Sequence, residues 1–279
     1  MKKFVVLLIA VLMFATACVN QAPGNVTPVT SAVPSVMPSV APSIVPTGEI
    51  VPLVLGSYLL GGVKDGAWVQ AEKIWNVLPT SGPYDFYEGQ MKIGQVDGGK
   101  AFYDEPTGSY YLEIKFSKTY EFATTAKWEL FPRKLVDSSI ADAEKIVAQY
   151  LKDKGMENPK ITVQKAVQAD LDNDGILETV IQSYNFKDYT PYEVKGHYSL
   201  VLVVKNGVVV KSLDEYIGKK TSTFEKGPLE TRAELITAAD FNGDGKLELL
   251  TSSGYYEGEF YYVYDTTTWK YVLSGGAGV

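Results

Sequence analysis

The sequence predicts a mostly β chain of the α+β class, with antiparallel sheets, two strand–loop–strand repeats and one packed helix. Three observations carry that prediction. Short runs of alternating apolar and polar residues are separated by turn signals, the pattern of strands with one face buried. One run keeps the 3.6-residue period of a helix. An acidic ten-residue segment occurs twice, seventy residues apart, and strand-like runs flank it.

Two segments come before these elements. Lys2 and Lys3 precede an apolar run from Phe4 to Phe14, which ends in Ala15-Thr16-Ala17-Cys18. A charged start, an apolar stretch too short to span a bilayer as a stable helix and a small-residue cleavage site describe a signal peptide over residues 1 to 17. Cys18, the only Cys of the chain, stands where cleavage would leave it at the new N-terminus. The arrangement resembles the bacterial lipoprotein lipobox, with Ala17 before the Cys and Ala15 where Leu is usual. The resemblance implies a diacylglycerated Cys18 and an extracytoplasmic chain, lipid-anchored to the bacterial cell membrane and displayed at the cell surface. Two acyl chains satisfy the requirement for stable anchoring. A plain secretory leader with a stray Cys is the other reading. Loss of Lys2 and Lys3 with the leader leaves 24 bases against 33 acids, a net charge of −9, so the tether would be lipid and not charge.

Residues 18 to 50 are expected to be the lipidated Cys and a linker. Positions 19 to 50 hold six of the fourteen prolines and no aromatic residue, and Pro34, Pro38, Pro42 and Pro46 recur at a four-residue period. Proline at that spacing forbids a helix and removes donors from any ladder, leaving extended polyproline-II-like chain. At ~3.1 Å per residue such a stalk reaches about 100 Å. It is either a bare spacer or a carrier of O-glycans on its Ser and Thr.

All four Trp and all nineteen Tyr lie beyond the linker, in a body long enough to bury a core. Its β-rich first region spans 51 to 134. Lys64-Asp65-Gly66, between Leu59-Leu60 and Trp68-Val69, is a turn signal. Tyr110 to Phe116 alternates as a strand. The second region, 135 to 279, opens with the helix after a soft boundary near residues 131 to 137. Ser138 or Ser139 caps it, Ile140, Ala143, Ile146, Val147, Tyr150 and Leu151 form its stripe, and Gly155 and Pro159 stop it. Further on, Tyr198 to Lys205, Asn206-Gly207 and Val208 to Lys211 read as a hairpin with a type I′ turn.

The strongest chemical signal is the repeated acidic segment. Counting from Asp170 and Asp240, oxygen-bearing side chains stand at positions 1, 3, 5 and 9 with Gly at 6: Asp170, Asp172, Asp174 and Glu178, then Asp240, Asn242, Asp244 and Glu248. Ca²⁺ takes six to eight oxygens at about 2.3 to 2.6 Å, and alternate oxygens around a tight turn meet that need. The carbonyls of Ile176 and Lys246, at position 7, are the expected fifth ligands. An EF-hand would require Glu at position 12, where Ile181 and Thr251 stand. The segments resemble the FG-GAP and VCBS-type repeats, whose calcium loops join two strands of an integrin-like propeller blade. The resemblance covers roughly 160 to 185 and 230 to 265 and implies calcium as the bound ion. A closed propeller takes about four to eight blades, so two copies predict no complete one. The competing reading is a pair of Asx-rich hairpin turns.

Other chemistry is largely excluded. A single Cys and a single His build neither a disulfide nor a multi-histidine zinc site. The acidic balance argues against nucleic acid. His197 precedes a strand with no Ser or acid motif near it in sequence, and no catalytic residue is singled out. The aromatic and acidic run Tyr255 to Tyr262 reads either as a strand on the core or as a face for sugar or peptide. The expected function is a cell-surface lipoprotein with two calcium-binding loops, acting as a binding or adhesion module for glycan or protein. The alternatives are a calcium-stabilised extracytoplasmic hydrolase of carbohydrate or cell wall using two carboxylates, and a structural envelope component. Oligomeric state is not legible.

Overall fold

The computed structural model describes residues 48–115, 121–223 and 228–278. The expected signal peptide, Cys18 and the linker as far as residue 47 lie outside them. The architecture is mostly β, with antiparallel pairing throughout, two helices and no closed sheet among the described residues. The first strand takes in Ile50, the last residue assigned to the linker.

The first sheet contains β1 (Ile50–Leu55), β2 (Tyr58–Lys64), β3 (Ala67–Gln70), β4 (Gly82–Glu88), β5 (Met91–Gly98), β6 (Ala101–Asp104), β7 (Ser109–Leu112) and β8 (Phe122–Thr124). Its order is β5-β4-β8-β1-β2-β7-β6, with β3 paired to β2. A one-turn helix, α1 (Ala71–Ile74), follows β3. The second sheet, ordered β13-β12-β11-β10-β9, contains β9 (Val136–Asp137), β10 (Val163–Ala169), β11 (Glu178–Tyr184), β12 (Tyr198–Lys205) and β13 (Val208–Ile217), with helix α2 (Ile140–Asp153) between its first two strands. The third is a simple meander of β14 (Arg232–Ala239), β15 (Glu248–Tyr255), β16 (Gly258–Asp265) and β17 (Lys270–Gly278).

The expected turns form for the expected reason. Asp65 and Gly66 have φ of 52° and 75°, and Asn206 and Gly207 have 53° and 75°. Two consecutive left-handed residues are what a type I′ turn demands. Helix α2 is capped by Ser139, whose Oγ accepts from Asp142 N at 3.2 Å. It ends with Gly155 N bonded to the Lys152 carbonyl and Met156 N to the Leu151 carbonyl. That paired closure is the Schellman arrangement, which needs a left-handed residue at Gly155.

The layers do not follow chain order. The third sheet lies between the other two, and each of its faces supplies half of a core. One core joins Leu53, Leu55 and Phe122 of the first sheet to Phe241, Leu250 and Val263. The other joins Val180, Val201 and Val203 of the second sheet to Leu235, Leu249 and Tyr264. Leu249 and Leu250 point to opposite cores because strand side chains alternate. The outer face of the second sheet is covered by Ala143, Val147 and Leu151 of α2, packed on Ile181, Leu200 and Leu202. With both faces covered, β12 is apolar at nearly every position, as a doubly buried strand must be. Trp128 and Leu130 share a core with Phe241 and Leu250, so packing runs across the soft boundary placed near residues 131 to 137.

Two sequence expectations are corrected here. The alternation from Tyr110 to Phe116 predicts one strand, but β7 stops at Leu112. Leu112 N bonds to the Ser57 carbonyl on the β2 side, and Glu113 keeps bonds to Gly99 and Lys100 on the β6 side just past the strand end, while Phe116 lies outside the described residues. The run Tyr255 to Tyr262 is not one strand either. Tyr256 and Glu257 make the turn between β15 and β16, and Tyr255 pairs with Gly258.

Candidate metal centre

Each acidic loop closes a hairpin between two strands of its sheet, β10 to β11 and β14 to β15. The ladders end alike, with Ala169 opposite Glu178 and Ala239 opposite Glu248, so the acid at position 9 opens the outgoing strand. Within the loops the short side chains bind their own backbone, as Asx turns do. In the first, Asp170 Oδ2 accepts from Gly175 N at 2.9 Å, Asp174 Oδ1 from Ile176 N at 2.9 Å and Glu178 Oε2 from Leu171 N at 2.8 Å. The matching bonds in the second run to Asp240 Oδ2 from Gly245 N at 2.9 Å, to Asp244 Oδ1 from Lys246 N at 2.8 Å and to Glu248 Oε2 from Phe241 N at 2.8 Å. Ile176 and Lys246, expected to offer carbonyls, thus present their amides to the Asp at position 5. A requirement that sequence reading missed is a left-handed residue at position 4, supplied by Asn173 (φ 62°) and Gly243 (φ 78°). Asn tolerates that conformation better than most non-glycine residues.

The loops differ in burial and charge. In the first, Asp172 is partly exposed and Asn173, Asp174 and Gly175 are exposed. Oxygens of Asp170, Asp172 and Asp174 all lie within 4.8 Å of one another, a cluster able to hold a metal ion. An all-oxygen set of this kind suits a hard cation. Lys205, from the end of β12, enters the same cluster. Its Nζ lies 2.9 Å from Asp172 Oδ2, 2.8 Å from Asp174 Oδ2 and 2.5 Å from Glu178 Oε1. Hydrogen bonding to Lys205 holds the Asp174 carboxyl below its usual range. Burial still pushes Glu178 up, against the Lys205 ammonium and the Leu171 amide. Desolvation works against the charged Lys205, but the hydrogen bonds of Asp174, Glu178 and Asp172 outweigh it and hold its pKa above the ordinary lysine value. Asp172 Oδ1 is buried and without a hydrogen-bond partner among the described residues.

The second loop is sunk into the protein. Asp240 and Glu248 are each 1% exposed and Asn242 5%. The backbone of Asp240 is clamped: its N donates to the Leu130 carbonyl at 2.8 Å and its carbonyl accepts from Trp128 Nε1 at 2.7 Å. Among the described residues no cation pairs with Asp240, Asp244 or Glu248. Burial, with the nearby charges of Asp244, Asp240 and Asp265 adding to it, drives Glu248 well above the usual carboxyl range. Burial also raises Asp240 to about 6, although the Gly245 and Gly243 amides favour its charged form. These carboxylates lack a positive partner, and a bound hard cation would supply one. Asn242 Oδ1 accepts from Asp244 N at 3.0 Å and its Nδ2 donates to Asp244 Oδ2 at 3.2 Å. Among the described residues only the first loop brings three carboxylates within 4.8 Å of one another.

The two loops touch. Leu247 N donates to the Leu171 carbonyl at 2.8 Å. Arg133 spans both, with Nη1 donating to Asn173 Oδ1 at 3.0 Å and Nη2 to the Gly245 carbonyl at 2.5 Å. Neither Arg133 nor Lys205 nor Asp265 belongs to the repeated motif, and no local pattern marks them.

Two other groupings bear on function. A cleft of about 310 Å³ opens where the three sheets meet, lined by Glu88, Gln164, Lys165, Gln182 and Glu234 among others. Lys165 donates to the Leu235 carbonyl at 3.0 Å, and burial lowers its pKa. His197 is not without an acid neighbour, as its sequence surroundings suggested. Its Nδ1 pairs with Oε1 of the fully buried Glu230, whose Oε2 accepts from the amide and hydroxyl of Thr190, each at 2.9 Å. Its ring stacks on Phe186 at 5.3 Å. Comparison of the chain with protein-family models, curated proteins and solved structures gives no match.

Proposed function

We propose that this chain is a calcium-binding, lipid-anchored cell-surface lipoprotein whose folded body serves as a binding or adhesion module for a glycan or protein. One observation carries the calcium reading: the second loop sets the buried Asp240, Asn242 and Glu248 beside the exposed Asp244, all oxygen-bearing and with no positive partner among the described residues. Oxygen donors without nitrogen or sulfur favour a hard ion, and Ca²⁺ accepts an irregular oxygen geometry where Mg²⁺ demands a near-ideal octahedron. The carbonyls of Ile176 and Lys246 complete the proposed sets. Calcium titration of the full chain, followed by isothermal calorimetry with Mg²⁺ as competitor, tests the reading. Failure to bind Ca²⁺ at millimolar concentration overturns it.

The anchor rests on Cys18 after its apolar leader. Metabolic labelling with palmitate should mark the wild-type chain and leave Cys18→Ser unlabelled. The binding role draws support from the cleft where the sheets meet, whose size is at the lower end for ligand sites, typically about 300 to 1,000 Å³. That cleft also favours one second reading, an extracytoplasmic carbohydrate hydrolase, because it holds the carboxylates of Glu88 and Glu234. A glycan array followed by a turnover assay on any hit separates the two. Capture without product supports binding, and turnover lost in Glu234→Gln supports the hydrolase.

A further inference from the structure

The geometry points to an unequal pair of loops: we infer that the Lys205 ammonium is the built-in cation of the first loop, so that only the second takes a metal ion and the chain binds one Ca²⁺. The inference rests on the calcium reading and narrows it. By sequence the first loop is the stronger candidate, with four carboxylates to the second loop's three. The convergence of Asp170, Asp172 and Asp174 within 4.8 Å favours the first loop as well, and what reverses the ranking is Lys205, which reaches into that cluster from the neighbouring strand.

Glu178 opens β11 and pairs with Lys205, which ends β12. An ammonium carries three donors, and here three carboxylates, those of Asp172, Asp174 and Glu178, lie at 2.9, 2.8 and 2.5 Å from it. A divalent ion drawn to the same oxygens would meet a like charge already seated there. Tethered to a strand of the same sheet, the ammonium cannot diffuse away as a free ion does.

The second loop has the opposite residue at that place. Glu248 opens β15, and one step beyond the Leu249–Tyr264 pair its partner position on β16 is Asp265. A carboxylate therefore stands where the first loop has Lys205. The nearest lysine in sequence, Lys246, directs its ammonium to Thr267 Oγ1 at 2.9 Å. Arg133 meets this loop at the Gly245 carbonyl, and among the described residues no ion pair joins it to a carboxylate there.

Equilibrium dialysis of the full chain against CaCl₂ tests the inference. The wild type should bind one ion. Asp244→Asn should abolish binding, whereas Asp174→Asn should leave it at one. Lys205→Met should raise it to two, because the freed carboxylates, with Asp172 Oδ1 already lacking a donor, regain a cation. Two ions on the wild type, loss of the single ion in Asp174→Asn, or a folded Lys205→Met that still binds one overturns the inference while leaving calcium binding intact. No ion on the wild type overturns the calcium reading itself and the inference with it. The two Asp variants keep the test decisive even where Lys205→Met fails to fold.

Discussion

Leu171 and Leu247 join the two acidic loops: the carbonyl of the first accepts a hydrogen bond from the amide of the second at 2.8 Å. Two segments seventy residues apart in sequence are therefore held side by side.

Calcium should stabilise the fold. An ion at tenfold excess over its Kd adds roughly 1.4 kcal/mol to folding. In a body of this size that corresponds to a rise in Tm of about 3 to 6 °C. Scanning calorimetry with and without EDTA measures it, and Asp244→Ala should abolish the response. A melting temperature that EDTA leaves unmoved would sink the proposal.

Arg133 should be worth more than a surface cation. It donates to Asn173 of one loop and Gly245 of the other, and hydrogen bonds from charged groups contribute about 1.5 to 3 kcal/mol. Arg133→Ala is expected to lose about 2 kcal/mol in urea unfolding. Arg133→Lys should recover only part of that, because an ammonium lacks the planar fork that reaches two acceptors at once.

His197→Ala should destabilise without touching calcium affinity. Glu230 is fully buried and would keep only the Thr190 bonds on its other oxygen. A buried acceptor left short of a partner costs about 1 to 3 kcal/mol. Unfolding measured alongside a calcium titration checks both halves, and a stable variant would show that the pair is not structural.

Stability should decline above pH 10. Burial raises the Tyr84 phenol from 10.0 to about 12. Below pH 10 both the folded and the unfolded chain hold the proton. Between 10 and about 12 only the unfolded chain releases it, so the fold loses stability as pH rises through that window. One such phenol contributes a slope of up to about 1.4 kcal/mol per pH unit. Tyr84→Phe should flatten the alkaline limb in pH-dependent urea unfolding. An unchanged slope would mean that the ring is ionised by water entering the fold.

What the sequence determined by itself is local. The hairpin turns at Asp65-Gly66 and Asn206-Gly207, the Ser139 cap, the Gly155 stop and the oxygen positions of both acidic loops all follow from interactions within a few residues. Short-range sterics and side-chain-to-backbone bonds set such features wherever the chain is placed. Tertiary structure decided the rest. The chain-final sheet sits between the other two because both of its faces are apolar and each must be covered, and this brings Leu171 against Leu247. Whether position 9 faces Lys205 or Asp265 depends on strand register across the long connection 185–197 in one case and the tight turn at Tyr256 in the other. Register is a property of the assembled sheet. Two loops nearly alike in sequence thereby acquire neighbours of opposite charge.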